Sequence, residues 1–306
     1  MSEPTPQDVL RRAAELKLAL PAFNIPYLPM MAPVVQAIVD QDCFAMIATA
    51  RLEWYKFEAR SLKAVAEEYR KWARPGYTWL HLDHVPVIDE DDQEVDYLPV
   101  IQEALDEGYW SVMVDGSRLR LDENIAATRK AADLAHAAGA PCEAELGAVL
   151  GHEAGPLPPY EELYASGKGF TDVEEAHRFA QETGCDWLSV AIGNIHGAIS
   201  GAARDSKKVE ARLNLEQLEK LRDATGLPLV LHGGSGVRRE HLLAAVERGI
   251  AKVNIGTEIR QAYEQPLRAG QGVDAAQRAT YDRTCWVLRD YFAMAGTRKQ
   301  VVGGAD

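Results

Sequence analysis

The chain has 306 residues, of which 47% are hydrophobic and 26% charged, values typical of a folded globular protein. Its formal net charge is −13, from 46 acidic and 33 basic residues. This balance argues against broad electrostatic binding to nucleic acid or to an anionic membrane, although a local basic pocket could still hold a phosphate. No apolar stretch reaches the length of about 18 residues that predicts a membrane-spanning helix.

The cysteines and the first segment indicate the compartment. The cysteines lie far apart and form no CxxC pair, at Cys43, Cys142, Cys185 and Cys285. Such spacing is typical of reduced thiols rather than of a disulfide framework. Residues 1–20 have an amphipathic helical pattern with acidic residues, unlike a signal peptide. We expect a cytoplasmic protein with an extra N-terminal helix.

Short apolar segments alternate with helical patterns along most of the chain. The predicted strands are 20–25, 44–50, 78–83, 110–115, 141–147, 187–193, 227–232 and 252–257. The predicted helices between them are 33–40, 56–73, 96–107, 123–138, 172–183, 214–224 and 239–248. Eight strands alternating with helices in roughly 250 residues predict an α/β fold, a closed (β/α)8 TIM barrel.

We expect one domain over residues 1–306, with a helical tail after about residue 258 that packs outside the barrel. An open doubly wound sheet is the alternative architecture. Its glycine-rich dinucleotide turn should follow the first strand, and the sequence AFNIPY has no such glycines. The barrel is therefore preferred.

Polar residues cluster where predicted strands end, which in such a barrel is the edge that carries the active site. The segment HLDH places Asp83 and His84 in succession, although neighbours in a regular strand face opposite sides. Both can reach the mouth only if the alternation lapses at the strand end. His81 lies deeper in the strand and need not reach the mouth. The other polar residues on or just after strands are Asp115, Glu143, Glu145, His196, His232 and Asn254.

Histidines from three strand ends, His84, His196 and His232, are typical of a catalytic zinc site with an open position. A single histidine at a strand end is more often a hydrogen-bonded structural residue, but three at matching ends favour a metal. Glu145 and Asp115 are candidates to orient the imidazoles or to act as alternate ligands. The other interpretation of these two acids is a buried polar network.

The segment HGGSG, residues 232–236, is typical of a phosphate-binding turn, because small residues expose backbone N–H groups at a helix N-terminus. A tight strand-to-helix turn is the alternative. The segment NIGT follows one strand–helix unit later, and barrels of this class commonly bind phosphate after strands seven and eight. Phosphate is therefore favoured.

The segments HLDH, SVMVDGS, EAELG, SVAIGNIHG, PLVLHGGSG and KVNIGTE resemble, in this order, those of class II zinc-dependent fructose-bisphosphate and tagatose-bisphosphate aldolases, over about residues 18–262. The resemblance implies a homodimeric or homotetrameric lyase acting on a sugar phosphate. It implies zinc or another divalent metal, with provision for a monovalent cation, on His84, His196 and His232. The implied phosphate and substrate contacts are Asn24, Gly197, Gly233, Ser235, Asn254, Gly256 and Thr257.

The resemblance also implies roles in the reaction. Asp83 matches the residue that exchanges a proton with the C4 hydroxyl, Asn254 the residue that contacts the enediolate, and Glu153 the acid that moves the proton at C3. The chemistry is consistent: cleavage leaves negative charge that a divalent ion can hold, and a nearby carboxylate can accept the hydroxyl proton.

Two segments depart from the family. An acidic insertion, VPVIDEDDQEVDY, follows HLDH, and the bulky, charged ATARLEWYKFEARS replaces a loop with a small hydroxyl and glycines. We therefore expect dihydroxyacetone phosphate to be retained as the ketone half and fructose 1,6-bisphosphate to be a poor substrate.

Other functions remain open at this point. One is a non-catalytic phosphosugar-binding or accessory barrel subunit; another is a zinc hydrolase on the same barrel. Asp83 and the three histidines favour catalysis, and HGGSG with NIGT favours the lyase.

Overall fold

The computed structural model of the chain describes residues 4–147, 149, 159–195 and 211–303. Eight parallel strands close into a barrel in sequence order, so that β1 pairs with both β2 and β8. The strands are β1 Leu20–Asn24, β2 Ala45–Ala50, β3 Thr78–Pro86, β4 Ser111–Asp115, β5 Cys142–Leu146, β6 Trp187–Val190, β7 Leu229–Leu231 and β8 Ile250–Ile255. The predicted (β/α)8 TIM barrel is confirmed.

Helices surround the strands and continue beyond them. They are α1 Pro6–Glu15, α2 Met31–Asp40, α3 Arg51–Tyr55, α4 Leu62–Trp72, α5 Tyr97–Asp106, α6 Leu121–Ala137, α7 Tyr160–Ser166, α8 Val173–Thr183, α9 Leu215–Thr225, α10 Arg239–Val246, α11 Thr257–Arg268, α12 Val273–Trp286 and α13 Arg298–Val302. The strands are buried almost throughout, as expected for a parallel sheet covered by helices.

The prediction of one helix over residues 56–73 is wrong. The chain instead forms the short α3 directly after β2, and α4 begins only after Ser61. The Ser61 hydroxyl accepts a hydrogen bond from the Ala64 amide at 3.1 Å, and Arg60 has a positive φ of 72°, which is incompatible with a continuous helix.

The added helices are tied to the barrel, as predicted for the N-terminal helix and the tail. α1 contacts β8 and α13, and Arg12 donates to the Val301 carbonyl at 3.3 Å. α12 packs on α2. Beyond it, the Tyr291 hydroxyl donates to the Gly234 and Val237 carbonyls, so the tail supports the turn after β7. Among the described residues, no helix is both long enough and apolar enough to cross a membrane.

Candidate active site

The HLDH segment bends where β3 leaves the barrel. Its pairing with β4 slips between Leu82 and Val85, and His84 has a positive φ of 24°. A bulge of this kind re-aims the following side chain. His81 and Asp83 keep the regular alternation and point into the barrel, whereas His84 contacts groups at the mouth. The alternation therefore lapses at His84.

His84 and His232 face each other across the mouth. Nε2 of His84 lies 2.6 Å from Nδ1 of His232. The other ring nitrogens are held by carboxylates: His84 Nδ1 is 3.2 Å from Asp115, and His232 Nε2 is 2.9 Å from Glu143. Glu145 lies 3.2 Å from Nδ1 of His232. Each imidazole thus has one nitrogen oriented by an acid and one directed at a shared point.

This arrangement fits a divalent metal ion. Ligand atoms of Asp83, His84 and His232 lie within 4.8 Å of one another, as do those of His84, Asp115 and Glu145. Metal-ligating histidines usually have the free ring nitrogen bound to a carboxylate, as here. The expected third histidine, His196, lies outside the described residues.

A buried chain of polar side chains lies below the histidines. The Asp83 carboxylate accepts hydrogen bonds from the Asn24 and Asn254 amides at 2.8 and 2.7 Å. Lys252 Nζ donates to the Asn254 side-chain oxygen and to Glu143, both at 2.8 Å. Because Glu143 also holds the ring of His232, the chain joins the base of the site to its histidines.

The buried charges influence one another's protonation. Burial favours neutral Asp83, but the charges of His84 and His232 hold its pKa well below the usual range. Burial also opposes ionisation of Glu143, while Lys252 and the hydrogen bond from His232 lower its pKa to about 2. Burial lowers the pKa of His84, but the combined effect of Asp83, Asp115 and Glu145 outweighs burial and raises it to about 10. The site therefore holds anions around a point that attracts positive charge.

Several of the predicted phosphate contacts lie together where β7 and β8 end. Gly233, Gly234 and Ser235 follow β7, and Ser235 Oγ accepts from the Glu258 amide at 3.3 Å, at the start of α11. A side chain at Gly234 would lie 2.4 Å from Val253, so this turn requires glycine there. Residues 233–236 with Gly256 and Thr257, the candidate phosphate-binding residues, are called the phosphate loop below. Gly256 lies beside Asn24. Gly197 is outside the described residues.

A cleft of about 610 Å³ extends from the phosphate loop towards the C-terminal helices. It is lined in part by Ser235, Thr257, Arg283 and Trp286. Arg283 packs over the Trp286 ring and pairs with Glu258. The phosphate loop therefore has a nearby opening as well as the backbone N–H groups of a helix start.

On the β2–β3 side, the two segments that depart from the family pack on each other. α3 and residues 86–96 are called the entrance wall below. Arg51 pairs with Asp89 at 3.1 Å, and both side chains are largely buried. Arg118 donates to the Asp89 carbonyl and pairs with Asp92, and Lys56 pairs with Asp91. The insertion is thus neither a free solvated loop nor an unpaired acidic cluster.

No role was predicted from the sequence for three buried charged residues, Lys252, Glu143 and Glu53. Lys252 is the one charged residue of β8 and stands two residues before Asn254, a spacing that puts both on one face of the strand. Glu143 and Glu145 show the same spacing on β5. These pairs were visible signals of a polar barrel interior. The burial of Glu53 could not be predicted from the sequence, because residues 51–55 have no strong hydrophobic periodicity.

The fold and the geometry define a closed parallel barrel with a candidate metal centre and a candidate phosphate-binding turn. A family model for class-II fructose-bisphosphate aldolase matches residues 5–302. The chain is 29% identical over 273 residues to fructose-bisphosphate aldolase of Geobacillus stearothermophilus, which covers 88% of this chain and 85% of that protein. It is 43% identical over 187 residues to YdjI of Escherichia coli K12, and this match covers 61% of this chain and 62% of that protein.

The structural comparison agrees with the sequence comparison. The crystal structure of the YdjI aldolase from Escherichia coli K12 has a TM-score of 0.73 and 26% identity to this chain, covering 96% of this chain and 99% of its own. The chain belongs to the class-II fructose-bisphosphate aldolase family. The predicted family is thereby confirmed, and aldolase chemistry is the activity it supports.

Proposed function

We propose that the protein is a divalent-metal-dependent aldolase that cleaves or forms a ketose phosphate through dihydroxyacetone phosphate. The observation that carries the proposal is the convergence of His84 Nε2 and His232 Nδ1 beside the ionised Asp83. His84, His232 and His196 would hold the ion, with Glu145 and Asp115 as orienting groups or alternate ligands. When bound, a divalent ion supplies a Lewis acid against the negative charge that builds on the ketone half.

Asp83 is the proposed proton acceptor for the C4 hydroxyl. Both of its oxygens already accept amide hydrogens from Asn24 and Asn254, so the carboxylate is fixed before substrate arrives. General-base catalysis requires such a group within hydrogen-bond reach of the hydroxyl. The Asn254 side chain, held by Lys252, is the proposed contact to the enediolate.

The phosphate loop is the proposed receptor for the phosphate of dihydroxyacetone phosphate. Gly233, Ser235 and Thr257 stand at the turn after β7 and the N-terminus of α11, where backbone N–H groups and the helix dipole favour an anion. The proposal also includes Glu153, which would move the C3 proton, and Gly197, which would contact the phosphate. Both residues lie outside the described residues, so their roles rest on the family resemblance alone.

The alternative is a non-catalytic phosphosugar-binding barrel. It would require a phosphate loop but no oriented base, whereas Asp83 is buried and held by two amides beside the histidines. This arrangement favours turnover. A homodimer or homotetramer in the cytoplasm is also part of the proposal, and sedimentation and cell fractionation test these two points.

The proposal is tested by metal content and by proton exchange. Wild-type protein purified with zinc should contain about one ion per chain and exchange a C3 proton of dihydroxyacetone phosphate with deuterated water. His84→Ala and His232→Ala should lose both properties, and His196→Ala should do the same if it is the third ligand. Stoichiometric metal in all three variants, or absence of exchange by the metal-loaded wild type, would contradict the proposal.

A further inference from the structure

Glu53 lies beside the proposed proton acceptor. In the barrel, Ala50 at the end of β2 is the register partner of Asp83, and α3 begins at the next residue. Glu53 turns back to this junction, where its carboxyl accepts the Ala50 amide at 3.0 Å. Its side chain also interacts with Asn24, the residue that donates to Asp83. Glu53 and Asp83 therefore share one amide neighbour.

The position of Glu53 is unusual for a carboxylic acid. The residue is 5% exposed, although glutamate is rarely buried without a positive partner. Burial, and then the charge of Asp83, raise the pKa of its carboxyl well above the usual range. A carboxyl in this setting can both donate and accept hydrogen bonds, which suits a hydroxyl group.

Two cations of this segment, Arg51 on the entrance wall and the adjoining Lys56, are already paired. Arg51 is engaged by Asp89 and lies over the Tyr55 ring, with its guanidinium carbon 4.1 Å from the ring centroid. Lys56 is engaged by Asp91. A phosphate dianion bound here would lie close to the ionised Asp83 and would have to compete with carboxylates for those cations, which is unfavourable.

On the proposed function, a ketose phosphate would span the mouth from the phosphate loop to Asp83. With the ketone phosphate in the phosphate loop and the C4 hydroxyl at Asp83, the carbons beyond C4 extend past Asp83, and the end of β2 is the strand end paired with it there. Their substituents would meet Glu53.

We propose that Glu53 determines specificity for the aldehyde half of the substrate, by binding hydroxyl groups of an unphosphorylated polyhydroxy aldehyde and disfavouring a terminal phosphate. This inference rests on the proposed aldolase function. It attributes the preference for an unphosphorylated aldehyde to one buried side chain, which the composition and length of the loops alone do not identify.

The experiment measures aldol addition of dihydroxyacetone phosphate to glyceraldehyde and to glyceraldehyde 3-phosphate. The wild type should favour glyceraldehyde in kcat/KM by at least about tenfold. Glu53→Ser should shift this ratio by about tenfold or more towards the phosphorylated aldehyde, mainly through the aldehyde KM. Glu53→Gln, which keeps the volume and the ability to bond hydroxyls, should keep the ratio within about threefold of the wild type.

Glu58→Ser is the matched control, because Glu58 is an exposed glutamate in the same segment. It should leave the ratio unchanged. An unchanged ratio in folded Glu53→Ser, or an equal shift in Glu58→Ser, would overturn the inference. A wild-type preference for glyceraldehyde 3-phosphate would overturn it without any variant, should Glu53→Ser not fold. Failure of the aldolase proposal is distinguishable, since it would abolish proton exchange at dihydroxyacetone phosphate in the wild type.

Discussion

On the phosphate-loop side of the mouth, the candidate site residues follow directly from β7 and β8, whereas those of the entrance wall stand on a short helix and an inserted loop. Gly234 and Ser235 are fixed by the close approach of Val253 and the start of α11. The entrance wall is fixed by charge pairs such as Arg51–Asp89, which join segments 38 residues apart. A strand end allows little variation, while a loop pair can be rebuilt without disturbing the barrel.

On the proposed function, this difference would separate the chemistry common to the family from the choice of substrate. His84, His232, Asp83 and the phosphate loop lie on strand ends that closure of the barrel brings together. Glu53, Arg51 and Asp89 lie in the segments that depart from the family. The predictions below test whether strand-end groups control turnover and stability while the entrance wall contributes smaller, separable effects.

The largest expected effect concerns Asp83. Asp83→Asn should lower kcat by roughly 10²–10⁴-fold, because the amide cannot accept the hydroxyl proton. Metal content and the circular dichroism spectrum should match those of the wild type. If the variant loses its metal instead, Asp83 is a ligand and its proposed role is wrong. Asp92→Asn, in an exposed position of the insertion, serves as the control.

A strong effect on stability is expected at Lys252. Its ammonium group is fully buried and pairs with Glu143, so Lys252→Met leaves that buried carboxylate without its lysine partner. Removal of one partner of a buried ion pair costs about 3–5 kcal/mol. Chemical denaturation of metal-free protein measures the change. Lys17→Met, which removes an exposed pair with Glu247, should be close to wild type; equal losses in the two variants would refute the argument.

An intermediate effect is expected at Ser235. Ser235→Ala should raise the KM for dihydroxyacetone phosphate by about ten- to a hundredfold, since hydrogen bonds to charged groups contribute about 1.5–3 kcal/mol. The KM of the aldehyde provides an internal control and should change less than twofold. Steady-state kinetics of the aldol addition measure both KM values. An unchanged KM for dihydroxyacetone phosphate would show that Ser235 does not bind its phosphate.

The smallest expected effect is the coupling between Arg51 and Asp89. Their side chains are 14% and 8% exposed, so solvent screens the pair only in part. A double-mutant cycle with Arg51→Met and Asp89→Asn should give a coupling of about 1–2 kcal/mol in the free energy of unfolding. Additive losses would show that the two segments of the entrance wall do not stabilise each other.

Much of this organisation could be predicted from the sequence. The alternation of apolar segments and helical patterns predicted eight strands in the order found, because each element has a local periodicity. The polar residues at strand ends were predictable for the same reason: carboxyl ends of parallel strands meet at one edge of the barrel. His84, His232 and Asp83 followed from this rule, and the family resemblance added roles to them.

Tertiary structure alone decided which buried groups meet. Lys252 and Glu143 are on β8 and β5, which are not neighbours, and they meet only because the closed barrel brings their inward faces together. The turn of His84 depends on a slip in pairing with β4, and the burial of Glu53 depends on a helix that begins at residue 51. Local periodicity sets the face on which a side chain lies, but the register between strands and the packing of loops arise from contacts between residues far apart in the chain.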